Sequence, residues 1–258
     1  MDLLEAYRAI VDAARAGADV RPLAEMFNKA LAGGSLEPGF GELAARLAAE
    51  ARWESLVSTA LALAALAAAA AGLLLLYRRR REVIGFLWLL VWRRGLLKHG
   101  GGRPRTLLFD EEVSAVAAAV VVVGVALAVA LLLRPAVAEP FSALGLLGPE
   151  GRIGGYPTNI SAGVPVRLFI YVHNHEGEPR WYVVYIKIAG AGGEPPLPSP
   201  PVLRIERLLL HNESWVQPFS VSFNSTGRQR LVAELWAVYP NGTLAYTGRF
   251  VQLWVNVK

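Results

Sequence analysis

In the stretch YVHNHEGEP, residues 171–179, His173 and His175 stand two apart with Glu176 beside them. Residues i and i+2 of a β-strand share a face, so a His-x-His pair there can offer two imidazole nitrogens to zinc or copper, needing only a third ligand such as Glu176 or Glu178. The other histidines are His99 and His211. The competing reading is a strand end followed by a turn. In it Asn174 hydrogen-bonds its own backbone, Gly177 takes a positive φ and Pro179 fixes the exit. The turn is the stronger reading, and neither a metal site nor a cofactor is assigned.

Other catalytic patterns are missing. KHGGGRPR, residues 98–105, has neither the strand-loop-helix setting nor the Gly-Lys-Ser/Thr ending of a phosphate loop. Neither a serine nucleophile elbow nor a His-Glu-x-x-His helix occurs. Glu139, Glu150 and Glu234 carry nothing in their surroundings that separates them from solvated carboxylates. Cysteine is absent, which removes thiol chemistry, cysteine-ligated metals and a disulfide framework. No catalytic residue is assigned, and the expectation is a protein that is not an enzyme.

The elements that carry these residues divide the chain unevenly. Of 258 residues, 54% are hydrophobic, more than a soluble domain of this size usually holds. The excess sits in two uncharged blocks, residues 56–77 and 113–134, the second closed by Arg134. Each offers about 20 residues, enough at 1.5 Å per residue to cross ~30 Å of hydrocarbon. Both blocks are therefore expected to be transmembrane helices. Between them, residues 78–112 hold nine of the basic residues, from the run Arg78 to Arg81 through Arg105. The positive-inside rule places this loop in the cytoplasm and both termini outside, a multi-pass cell-membrane protein with the lipid bilayer as a partner. Residues 83–92, VIGFLWLLVW, are too short to span and read as an interfacial segment. The basic cluster is not accompanied by a nucleic-acid recognition fold, so no nucleic-acid partner is assigned.

Upstream, residues 1–55 form an amphipathic helical region. Leu3, Tyr7, Ile10 and Ala14 share one helical face; Leu23, Met26, Phe27, Ala30 and Leu31 share another, starting at Pro22 and stopping at Gly33-Gly34; Leu43 and Leu47 mark a third helix that runs into the first block. Downstream, residues 135–258 alternate with period two. Val166, Leu168, Ile170 and Val172 oppose Arg167, Phe169, Tyr171 and His173, and Tyr182, Val184, Ile186 and Ile188 oppose Trp181, Val183, Tyr185 and Lys187. Six or seven strands separated by turn clusters predict an Ig-like β-sandwich. The fold class expected is thus a membrane protein, α+β by segment. The proline-rich stretch 189–201 reads as an exposed, partly polyproline-II loop.

Four N-x-Ser/Thr sequons, at Asn159, Asn212, Asn224 and Asn241, all fall in this last segment and predict N-glycosylation outside the cell. Phe169, Tyr171, Trp181 and Tyr185 are outward aromatics, read as lying on neighbouring strands, that could together form an interaction surface for a protein or glycan, or else pack under the N-terminal helices.

Residues 146–184 resemble an archaeal membrane-protein family carrying the domain of unknown function 1616. The matching elements are LLGPEG at 146–151, GYPTN at 155–159, the Gly-Val-Pro turn at 163–165 and NHE at 174–176. The resemblance implies an archaeal envelope location and brings no activity with it. Two functions follow as expectations: a membrane-anchored envelope glycoprotein whose sandwich binds a protein or glycan, or an accessory subunit of a translocation, glycosylation or protease complex. A metal-dependent surface enzyme, resting on His173 and His175 alone, is the remote third.

Overall fold

The computed structural model describes residues 1–78, 123, 124, 127, 139–190 and 192–258. The chain divides into two compact units: Met1–Ser55 together with Val137–Lys258, and Leu56–Ala136.

The first unit opens with helix α1, Leu3–Arg15, whose start is fixed by a reciprocal capping box between Asp2 and Glu5. Helix α2, Arg21–Leu31, has Pro22 in its first turn, where a missing N–H costs nothing. Gly33, at φ 102°, follows its end. Tyr7, Ile10, Leu23 and Phe27 are fully buried on the facing sides of the two helices. Helix α3, Phe40–Arg78, starts in this unit with Phe40 and Ala44 buried against the same cluster and continues into the second.

The β-region is a sandwich. Strand β1 (Phe141–Leu147), β3 (Pro165–His175) and β6 (Ser214–Ser222) form a three-stranded sheet in the order β1-β3-β6. Strands β2 (Asn159–Ile160), β8 (Leu244–Val257), β7 (Gly227–Val238), β4 (Arg180–Ala189) and β5 (Leu203–Leu209) form a five-stranded sheet in that order. Pairing is antiparallel except between β2 and β8. The period-two pattern becomes burial directly: Leu168, Ile170 and Val172 from one sheet meet Tyr182, Val184, Ile186, Leu231 and Leu235 from the other, all fully buried.

The outer face of the five-stranded sheet is covered twice. Over β4 and β5, α1 and α2 close on Trp181 and Leu208. The Trp181 ring meets Phe27 edge-on at 5.4 Å between centroids and Tyr7 at 6.0 Å. The Asn28 amide donates to the Leu208 carbonyl at 2.9 Å and accepts from its N–H at 2.8 Å, occupying backbone groups of an edge strand. Over β4 and β7 lies the proline-rich stretch. Most of it is exposed, as expected from its prolines, and it is pinned to the sheet at one buried residue: the Leu197 N–H donates to Glu234 Oε1 at 2.6 Å, and its carbonyl accepts from Lys187 Nζ at 2.5 Å. Lys187 and Glu234 also pair at 2.9 Å, and Arg230 holds the carbonyls of Gly192 and Gly193. Prolines keep this segment out of the ladder, but three polar side chains standing on the sheet hold it down as a strap.

The expectation of two transmembrane helices is overturned. Among the described residues no helix is long and apolar enough to cross a membrane. The first block is the later part of α3. The second block, 113–134, lies outside the described residues apart from Val123, Gly124 and Leu127, and the loop 78–112 with its segment 83–92 lies outside them beyond Arg78.

Candidate functional site

The four aromatics expected to share one surface do not share one. Phe169 and Tyr171 lie on β3 of the three-stranded sheet, whereas Trp181 and Tyr185 lie on β4 of the five-stranded sheet. β3 and β4 are consecutive in sequence without pairing, so their outward residues point away from each other on opposite sides of the sandwich. Trp181 is packed beneath the helices, and Tyr185 stands edge-on to Trp236 at 5.8 Å.

What the three-stranded sheet does bring together is a row. On its outer face, Phe169, Tyr171, His173 and His175 follow one another along β3. Strand β1 places Leu147, Gly145, Ala143 and Phe141 opposite them, and β6 places Pro218, Val216 and Ser214. A Cβ built on Gly145 would sit 3.5 Å from Tyr171, so the tyrosine lies over a residue with no side chain of its own. Phe141 is 43% exposed and Val216 48%. Arg167 lies over the Phe169 ring at 5.2 Å.

The histidines end this row. The rings of His173 and His175 are stacked at 6.2 Å with 17° between planes, and Phe141 lies 4.9 Å from His175. His211, from the turn between β5 and β6, is a third member at 4.8 Å from His175. Sequence spacing gave no sign of it, since it joins the pair only through the pairing of β3 with β6. The Nδ1 atoms are engaged: His173 with Ser214 Oγ at 2.9 Å, His175 with Asn212 Oδ1 at 2.5 Å, and His211 accepting from the Gly177 N–H at 3.0 Å. Partial burial, and then the His175 and His173 charges, hold His211 below its ordinary value, which favours the neutral ring that this acceptor role requires. Among the described residues no group of three or more His, Cys, Asp or Glu side chains could hold a metal ion.

The backbone beneath realises the turn. The Glu176 N–H donates to Asn174 Oδ1 at 3.0 Å, and Gly177 has φ 83°. Asn174 is fully buried, and its amide also donates to the carbonyls of Glu178 and Leu209, each at 2.9 Å. Because Leu209 belongs to the other sheet, this one side chain fixes the crossing of the chain from sheet to sheet.

All four sequon asparagines, Asn159, Asn212, Asn224 and Asn241, are exposed. Asn212 has φ 62°, the left-handed region that asparagine tolerates better than most residues.

A second concave feature lies at the end of the sandwich where the sheets part. A cleft of about 250 Å³ is lined from one sheet by Phe141, Ser142 and the following Glu176, and from the other by Arg180, Tyr239, Tyr246 and Arg249. Two of its polar residues, Ser142 and Arg180, are buried.

Several solved structures are similar to part of the chain. The CARDB domain of a Pyrococcus furiosus protein, in complex with di-metal ions, matches with 16% identity and TM-score 0.33 over 46% of this chain and 93% of that one. A Listeria innocua β-glucosidase matches with 11% identity and TM-score 0.30 over 46% of this chain and 16% of its own. An Escherichia coli alpha-2-macroglobulin fragment matches with 17% identity and TM-score 0.30 over 47% and 17%. At such scores none of them bears on what this chain does. No curated protein matches the sequence. Residues 135–256, which hold the sandwich into its last strand, match the family described as Domain of unknown function (DUF1616).

Proposed function

We propose that the chain is a non-enzymatic protein of the cell envelope whose sandwich binds a protein or glycan partner through the outer face of the three-stranded sheet. The observation that carries this reading is the contrast in cover. The five-stranded sheet spends its outer face on the helices and the strap, while Phe169, Tyr171, His173, His175 and Phe141 form a row on the other sheet that no described element of this unit covers. Aromatic and histidine side chains with a polar tip are suited to contacts that are dry at the centre and hydrogen-bonded at the rim.

A position outside the cell is part of the proposal, supported by the exposure of Asn159, Asn212, Asn224 and Asn241 to a glycosylating enzyme. Association with a membrane surface is supported by α3, which exposes Trp53, Leu56, Leu61 and Leu63, each more than 60% accessible.

A photo-crosslinking amino acid placed at Val216 in the full chain, in native membranes, tests the face directly. Mass spectrometry is expected to find a recurrent peptide or glycan adduct there and none from the same group placed at Phe250, which is 44% exposed on the other sheet. Adducts from Phe250 alone, or equal adducts from both, overturn the assignment.

A further inference from the structure

The open row ends in the one kind of side chain whose ordinary titration falls near neutral pH. His173, His175 and His211 are half-buried, and the His175 ring centroid lies 6.2 Å from that of His173 and 4.8 Å from that of His211. At these separations a proton on one ring opposes a proton on the next, so the three titrate as a unit. His211 shows the coupling: after partial burial, the charges that hold it below its ordinary value are those of His175 and His173. Its Nδ1 accepts from the Gly177 N–H at 3.0 Å, a contact that needs a bare Nδ1 and that protonation ends.

Nothing in the face compensates such charges. Strands β1, β3 and β6 contain no Asp or Glu, and Arg167 is their only permanently charged residue. The carboxylates of the neighbouring turns are engaged elsewhere. Glu176 accepts from Ser142 Oγ at 2.5 Å, Glu178 is shared by Arg15 and Arg180, each at 2.9 Å, and Glu213 accepts the Leu210 N–H at 2.8 Å. On the side of α2, His211 shares a groove with Arg21, Glu25 and Arg207. Arg21 is paired with Asp19 at 2.6 Å, and Arg207 lies over the Trp215 ring at 5.6 Å. Among the described residues no carboxylate is paired with any of the three rings. Neutral imidazoles therefore suit a contact that is dry at its centre. Protonated ones would be covered with no counter-ion from this chain, and desolvating an unpaired charge is costly.

We propose that the binding face is gated by pH: neutral imidazoles at His173, His175 and His211 hold the partner near neutrality, and their protonation on acidification releases it. The gate rests on the face assigned above and adds the condition under which that face lets go.

The photo-crosslinking group at Val216, in the full chain in native membranes, reads the gate when adduct yield is followed from about pH 7.5 down to about pH 5. The yield is expected to fall by about tenfold or more, with its midpoint between about pH 5.5 and 6.5, the imidazole range. In the triple variant His173→Gln, His175→Gln, His211→Gln, the ratio of the yields at the two ends is expected to approach one; where this variant does not fold, the midpoint decides. Tryptophan fluorescence of the purified chain, expected to be unchanged over the same range, separates release from unfolding. A constant yield overturns the gate and leaves the face standing, whereas no adduct at either pH removes both. A yield that rises on acidification would mean that the partner supplies the counter-charge, and overturns the gate. So does a fall confined below about pH 4.5, which belongs to carboxylates, a loss of yield that tracks unfolding, or a triple variant with the unaltered ratio.

Discussion

The two sheets of the sandwich present outer faces built from similar residues and put to different ends. Trp181, Tyr185 and Trp236 on the five-stranded sheet resemble Phe169, Tyr171 and Phe141 on the three-stranded sheet, yet Trp181 packs under Phe27 and Tyr7 while Phe169 and Tyr171 are half-buried without a helix over them and Phe141 is exposed. An outward aromatic therefore does not announce its role. The difference comes from what the rest of the chain supplies: α1, α2 and the proline-rich strap all dock on one side. That side is covered by other parts of the chain, and the other is the face proposed for recognition.

The comparison is broken most severely by removing one member of the buried pair under the strap. Glu234→Leu leaves Lys187 buried without its counter-ion and frees the Leu197 N–H, and should lower stability by about 3–5 kcal/mol in chemical denaturation. Replacing both partners, Lys187→Met with Glu234→Leu, should recover most of that loss. A double variant no better than the single would show that the strap, and not the charge, is at fault.

Next in size is the exchange of one aromatic for alanine on each face. Trp181→Ala should cost about 3 kcal/mol, because it removes the surface on which Tyr7 and Phe27 pack. Tyr171→Ala should change stability by less than about 1 kcal/mol while reducing crosslinking from Val216. Similar losses from both in thermal unfolding would mean that the open face is also structural.

Asn28→Ala should cost about 1–2 kcal/mol, since it unpairs the Leu208 N–H and carbonyl at the edge of β5. Hydrogen exchange at Leu208 should rise in this variant with little change at Leu168. Uniform loosening of both would mean that Asn28 acts on the whole fold.

The smallest effect is on pH. His211 has its folded-state value lowered from 6.5, first by burial and then by His175 and His173, so the neutral ring is favoured in the folded chain. Above pH 6.5 both states are neutral there and this contribution is fully present. As pH falls below it the unfolded chain takes up the proton first and stability declines, until the folded ring is protonated too. Thermal unfolding of His211→Asn should lose this part of the acid dependence; an identical pH profile in both proteins would show that His211 is not its source.

Much of this was legible in the sequence because burial writes itself into spacing. Leu168, Ile170 and Val172 alternate with Arg167, Phe169 and Tyr171, and Pro22 with Gly33 bracket α2 within a residue or so. Alternation says which side a residue takes and is silent about which strand lies next to it. The sequence reads as a strand, a turn and a neighbouring strand, yet β3 pairs with β1 and β6 while β4 pairs with β5 and β7, so the four aromatics fall on two different sheets. The anchoring of the strap is illegible for a related reason: prolines state what a segment cannot do, and the anchors are Lys187, Arg230 and Glu234 on distant strands. The first apolar block reads as a spanning helix from its length and freedom from charge, whereas among the described residues no helix is long and apolar enough to cross a membrane.

Hydroxyl-radical footprinting of the full chain, purified and in native membranes, tests the central claim most directly. The purified chain should be oxidised quickly at Tyr171 and His173 and slowly at Trp181, and in membranes Tyr171 and His173 should become protected while Trp181 does not change. Oxidation of Trp181 as fast as that of Tyr171, or unchanged reactivity of Tyr171 and His173 in membranes, would contradict the division of the sandwich into a covered face and a binding face.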